Sequence, residues 1–166
     1  FWSTSSTAGK STLCWLTSLA YAEKYPQTGT YVIDLSPQAD VSHLLLGNCT
    51  VLELSQKTLY YYFMRRMHSP HQLPENSKMF RELSFRPFDV VLPHNKMPEN
   101  LMLVHGDPRT ELLLEAIIDM FSQFTQPFTW FTVFSWLKDF IWVLEKYSTF
   151  EKNTFFIDCS SSFHVL

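Results

Sequence analysis

Glycine is scarce in this chain. Its 166 residues hold four, Gly9, Gly29, Gly47 and Gly106, so left-handed backbone positions and the tightest turns have few places to occur. Charge is sparse as well, and thirteen Lys and Arg against sixteen Asp and Glu leave a net charge of −3. That balance excludes a general attraction to DNA or to an anionic membrane, and any nucleic-acid contact would need a local patch. The three cysteines, Cys14, Cys49 and Cys159, are an odd number without close metal-ligand spacing. They exclude a thiolate metal knot, fit a reducing compartment, and are expected to be small buried residues. No charged segment followed by an apolar run opens the chain, so no secretory signal is expected. The longest uncharged stretch, Met120 to Leu137, has the length to span a bilayer, but Gln123, Gln126, Pro127 and several Ser and Thr interrupt it. No membrane span is expected, and the location implied is cytoplasmic.

What is present is an ordinary globular balance, 46% hydrophobic and 17% charged, sufficient for one domain with a proper core. One stretch near the start carries chemistry. Ser3 to Thr12, Ser-Thr-Ser-Ser-Thr-Ala-Gly-Lys-Ser-Thr, reads as a phosphate-binding loop, because a turn of small residues ending in Gly-Lys-Ser lets successive backbone N–H groups point at phosphate oxygens with a helix N-terminus behind them. Ser6, Thr7, Ala8, Gly9, Lys10, Ser11 and Thr12 are the cofactor-binding candidates. Lys10 would reach the β- and γ-phosphates, and the Ser11 hydroxyl would sit on Mg²⁺. Where the common form of the loop has its first glycine, this chain has Thr4. A plainer reading is a helix start whose Ser and Thr merely act as caps.

Along the chain, Phe1-Trp2 would end a strand feeding the loop, and Leu13, Leu16, Leu19 and Ala20 have helical spacing. Thr30 to Leu35 is β-branched and apolar enough for a buried strand. It delivers Asp34 to a strand's carboxyl end, where open parallel sheets bind ligands, making Asp34 a catalytic and metal candidate. Capping the following turn is the alternative role for Asp34. Asp40 to Leu46 is predicted as a short helix stopped by Gly47, and a second helix is predicted over Val51 to Met67. It carries Arg65 and Arg66, which with His68 just beyond make the one compact basic cluster, expected as a solvated helix end. From Ser69 to Pro98 five prolines predict a surface excursion with a short strand at Phe88 to Leu92, and His68, His71 and His94 are expected at the surface. Leu101 to Val104 is a further strand. Asp107 and Pro108 are a helix start, with Leu112, Leu113, Ala116, Ile117 and Met120 on one side of a helix running to about Phe121. Beyond Pro127 a longer helix carries an apolar stripe through positions 130, 133, 134, 137, 140, 141 and 144, with Phe131, Trp136 and Trp142 expected in core or interface. Asn153 to Asp158 is the last strand, and Asp158 at its end is the second metal candidate.

This alternation of strand and helix implies an α/β domain over residues 1–166, with a mostly parallel sheet and helices on both faces. The motifs together resemble the ParA/MinD family of deviant Walker-A P-loop ATPases, the partition and cell-division positioning proteins. Ser5-Ser6-Thr7-Ala8-Gly9-Lys10-Ser11-Thr12 lies over that family's Lys-Gly-Gly-Val-Gly-Lys-Thr-Thr loop. Ile33-Asp34-Leu35-Ser36-Pro37-Gln38-Ala39-Asp40 matches its Ile-Asp-Leu-Asp-Pro-Gln-Gly-Asn run, and Ile157-Asp158-Cys159-Ser160-Ser161-Ser162 is similar to its third motif, Ile-Asp-Cys-Pro-Pro-Ser. Gly106-Asp107-Pro108 falls where many partition ATPases have a similar turn. The resemblance implies ATP and Mg²⁺ as cofactors, an ATP-dependent homodimer, nonspecific DNA binding in the ATP state, a nucleoid-associated location, and stimulation by a partner of the ParB type. It also implies that the domain is incomplete at both ends, starting inside the first strand and stopping just after the third motif.

The chain departs from the family at three places. The signature lysine that reaches into the other subunit's site is Ser5, the water-orienting aspartate is Ser36, and two loop glycines are Ser6 and Thr7. Slow or impaired hydrolysis is the expected result, with Lys10 and Asp34 the catalytic residues left. The rivals are a nonenzymatic remnant of the fold and a small-molecule kinase. The kinase would need an arginine-rich lid, for which the excursion offers only Arg81 and Arg86.

Overall fold

The computed structural model of the protein describes residues 9–47, 58–68, 83–90, 97–113, 115, 119 and 130–159. Its elements are α1 (Lys10–Lys24), β1 (Thr28–Asp34), α2 (Asp40–Leu46), α3 (Leu59–His68), α4 (Pro87–Val90), β2 (Leu101–Val104), α5 (Trp130–Lys146) and β3 (Lys152–Asp158); residues 110–113 are also helical. The described strands form one parallel sheet in the order β2-β1-β3. Thr30 of β1 pairs with Leu101 of β2 and with Thr154 of β3, so the three strands run level and end together.

Strand alternation divides the core into two layers, one on each face. Tyr31, Ile33, Val104, Phe155 and Ile157 look toward α3 and α5, where Tyr62, Phe63, Trp136 and Phe140 fill the space. Val32, Leu101, Leu103 and Phe156 look the other way, toward Cys14 and Ala22 of α1 and Val41 and Leu45 of α2. The α/β class and the placement of helices on both faces are as the sequence predicts. β1 is covered on both sides, which is why it reads as a continuous apolar run.

Several local expectations differ. The buried face of α1 is Lys10, Cys14, Ser18 and Ala22, whereas Leu13 and Leu16 are more than half exposed. Small side chains let this helix approach the sheet, and the Ser18 hydroxyl satisfies itself on the Trp15 carbonyl at 2.9 Å. The second predicted helix begins at Leu59, not continuously from Val51, because Thr58 stands outside the helix with its hydroxyl on Asp107 at 2.6 Å. Arg66 is no solvated helix end: it is buried, stacks over Trp136 and pairs with Asp139 of α5 at 2.7 Å. Phe88 and Asp89 are helical rather than extended, since Pro87 presets a helical φ and Arg86 holds Asp89 at 2.9 Å. The strand-like pairing of that segment falls on Phe85, which bridges antiparallel to Leu103. After β2 the Asp107 carboxylate takes the Arg109 N–H at 2.9 Å, the capping bond expected of it, and the first turn is tight, with the Thr110 N–H on the Asp107 carbonyl, before regular helix at Thr110. Leu113 is buried there and Leu112 is exposed. Trp136 lies in the core as expected, whereas Trp142 is half exposed.

Burial pushes the Cys14 thiol up to about 12, so it behaves as an apolar residue. Among the described residues no helix is long and apolar enough to cross a membrane. Phe1-Trp2, Cys49, His71, His94, Ala116, Ile117 and Met120 lie outside the described side chains.

Candidate functional site

The level strand ends bring two carboxylates together. Asp34 and Asp158 are register partners on adjacent parallel strands, each only 1% exposed. The strands stay joined past them, with the Leu35 N–H on the Asp158 carbonyl at 2.9 Å.

Asp34 is held by its own chain through both carboxylate oxygens. Its Oδ1 accepts the Ser36 N–H at 2.9 Å, and its Oδ2 accepts both the Ser42 N–H at 3.0 Å and the Ser42 hydroxyl at 2.6 Å. The bond from Ser36 is the turn-capping role that the sequence left open. Burial pushes the carboxyl up to about 7 against the pull of these donors, with Asp158 adding to the rise.

Asp158 is the opposite case. Neither of its carboxylate oxygens has a hydrogen-bond partner of normal geometry among the described residues. Burial raises its pKa, while the nearby Ser11 hydroxyl and Lys10 ammonium pull it down. A buried carboxylate without donors is costly unless something else takes its lone pairs.

Lys10 and Ser11 open α1, which begins with Gly9 in the left-handed region at φ 68° and without a side-chain cap. Its first intrahelical bond runs from the Leu13 N–H to the Gly9 carbonyl at 2.8 Å, so the amides of residues 10–12 lie outside the helical ladder. A left-handed residue followed by helical ones turns consecutive N–H groups toward one point, an arrangement suited to anions. The plainer reading, a serine or threonine at the cap, is therefore not what the helix start uses. Lys10 is buried, Ser11 half-buried, and Gly9 and Thr12 exposed. Ser5, Ser6, Thr7 and Ala8 lie outside the described residues.

Ser36, where the family's second aspartate would fall, is buried and gives its hydroxyl to Gln38 at 3.0 Å. Ser42, which the sequence did not single out, and residues around the Gly106-Asp107 turn complete the surroundings. Ser42 bonds Asp34 and also accepts the Gly106 N–H at 3.0 Å. Asp107 takes Thr58 and a two-point ion pair from Arg109, whose guanidinium lies 4.8 Å from the Tyr60 ring centre. His105 packs edge-on to His43, and burial lowers its pKa. Only a signal linking Asp34 to position 42 across the turn would have found Ser42, and hydrophobic periodicity carries none.

Chemically, the strand ends offer hard oxygen ligands suited to a divalent cation, beside a cationic and amide-rich helix start suited to an anion. Among the described residues no group of three or more His, Cys, Asp and Glu stands ready-made for a metal, so any cation here would draw on few protein ligands.

No family model and no curated protein matches the sequence. Among solved structures, the chain is similar to protein DIP2308 from Corynebacterium diphtheriae, with a TM-score of 0.64 at 14% identity, over 97% of this chain and 54% of that one. The likeness supports the fold, and the chain spans about half the length of that protein.

Proposed function

We propose that this chain is a Mg-ATP-binding domain of the ParA/MinD kind, with slow or impaired hydrolysis. One observation carries the reading: the two candidate carboxylates sit side by side at the strand ends, and the unsatisfied one, Asp158, is next to Ser11 and Lys10 at the uncapped start of α1. In this reading the amides of residues 10–12 and the Lys10 ammonium receive the terminal phosphates, and Ser11, Asp34 and Asp158 hold Mg²⁺ or its water shell. The metal's contribution when bound is to neutralise charge on the phosphates. The cation would take the lone pairs that Asp158 leaves without donors of normal geometry among the described residues.

Hydrolysis is expected to be weak because Ser36, tied to Gln38, offers no carboxylate to orient water. A serine also stands at the position of the cross-dimer lysine, and a cation in a comparable role is worth about 10³ to 10⁵ in rate. Stimulation by a ParB-type partner, nonspecific DNA binding and an ATP-dependent dimer belong to the same proposal by resemblance. The basic cluster adds little to a DNA surface, since Arg66 is committed to Asp139.

The test is thermal unfolding with ATP and Mg²⁺ against ATP and EDTA. A ligand at a hundred times its Kd adds about 2.7 kcal/mol of stability, so a clear rise in Tm that requires Mg²⁺ supports the reading. No rise at millimolar Mg-ATP favours a nonenzymatic remnant of the fold, a role in which Asp34 serves only its own turn and α2.

A further inference from the structure

Asp34 is held from two directions that are remote in sequence. Ser42 donates both its backbone N–H and its hydroxyl to Oδ2, and its hydroxyl oxygen accepts the N–H of Gly106 on the loop leaving β2. A carboxylate oxygen has two lone pairs, so Oδ2 is saturated, while Oδ1, with the single bond from Ser36, keeps one. Gly106 backs the group: an added Cβ would lie 2.9 Å from the Asp34 Cγ and Oδ2 and 3.0 Å from the Ala39 Cα. Its φ is not in the left-handed region, so crowding against the carboxylate, not backbone torsion, is what a side chain would violate there.

We infer that Ser42 is the positioning residue of this site. It immobilises Oδ2, leaves Oδ1 as the oxygen through which Asp34 meets a cation or its water, and ties that orientation to the loop after β2. The inference rests on the reading above, that a nucleotide and Mg²⁺ sit at the start of α1. If Ser42 served only packing, its loss would weaken the fold and every ligand equally; a positioning role is specific to the metal.

The experiment is ATP titration of the full chain in EDTA and over a range of Mg²⁺, for the wild type, Ser42→Ala, Ser42→Thr and Gly106→Ala, with Tm followed for each. Removing a group that orients a metal ligand typically costs about 10- to 100-fold in metal affinity. Ser42→Ala is therefore expected to lose about tenfold or more in the Mg²⁺ affinity of the nucleotide complex, with ATP affinity in EDTA unchanged. Ser42→Thr keeps the hydroxyl and is expected to recover the wild-type value. Gly106→Ala crowds the same carboxylate from behind and is expected to weaken Mg²⁺ in the same sense, which decides the matter should Ser42→Ala fail to fold. Undiminished Mg²⁺ affinity in the folded variants, or an equal loss with and without Mg²⁺, overturns the positioning role. A wild-type protein that binds ATP under neither condition overturns the nucleotide reading, a result distinct from the other two.

Discussion

Asp34 and Asp158 lie side by side on one rung of a parallel sheet, both buried, yet one is wrapped in three hydrogen bonds and the other has no partner of normal geometry among the described residues. Replacing Asp158 by Asn removes a buried charge and its repulsion of Asp34 while keeping the shape. The variant is expected to be more stable than the wild type by about 1 kcal/mol in urea unfolding without Mg²⁺, and to lose Mg²⁺-dependent ATP binding. Loss of stability in Asp158→Asn would mean that the carboxylate is structural.

Two of the three buried aspartates at the strand exits, Asp34 and Asp107, have opposite pH signatures. Asp34 has its pKa raised in the folded state, to about 7, so its stabilising contribution is complete below the unfolded value of about 3.9 and is lost as pH rises through about 7. Asp107 is buried too, which pushes its pKa up, but the bonds from Arg109 and Thr58 outweigh that and hold it below the ordinary range. Its contribution is present above about 3.9 and disappears as pH falls through the lower folded value. Urea unfolding across pH should therefore show an acid limb that flattens in Asp107→Asn and a decline from about pH 4 to about pH 7 that flattens in Asp34→Ala. An unchanged slope in either variant removes that residue from the linkage.

Asn100 joins the end of α1 to the start of β1. Its side-chain amide donates to the carbonyls of Ala22, Tyr25 and Thr28 at 3.1, 3.1 and 2.8 Å, and the residue is buried. Asn100→Ala leaves these acceptors short of a donor in a tight turn, and a loss of about 2 kcal/mol in urea unfolding is expected. A change within experimental error would show that water replaces the amide at no cost.

Trp136 is fully buried between α3 and the sheet, with its backbone carbonyl accepting the Tyr62 hydroxyl at 2.8 Å. Trp136→Ala is expected to cost about 3 to 5 kcal/mol through the cavity it leaves. Leu13→Ala, on the exposed face of α1, is expected to stay within about 0.5 kcal/mol of the wild type, and the same unfolding experiment measures both.

The strands were legible in the sequence because β1 and β3 are short β-branched or aromatic runs that stop at an aspartate, and their parallel pairing follows from the helices between them. The buried face of α1 was not, since it is built of Cys14, Ser18 and Ala22 while Leu13 and Leu16 point outward and only Leu19 packs against the core. Arg66 looked solvated because its partner, Asp139, lies 73 residues away, and local charge patterning cannot see that far. Asp34 and Asp158 were found from their place at strand ends, and the structure brings them together. Ser42 escaped notice for the same non-local reason as Arg66, since its bonds to Asp34 and Gly106 exist only once α2 and the loop after β2 close on that carboxylate.

The most direct measurement is calorimetric titration of Mg-ATP into the folded chain and into Lys10→Ala. Saturable binding by the wild type is expected, with a loss on the order of tenfold or more when the ammonium is removed, consistent with a charge-assisted contact of about 1.5 to 3 kcal/mol. Equal affinity in the two proteins, or no heat of binding in either, would contradict the nucleotide reading.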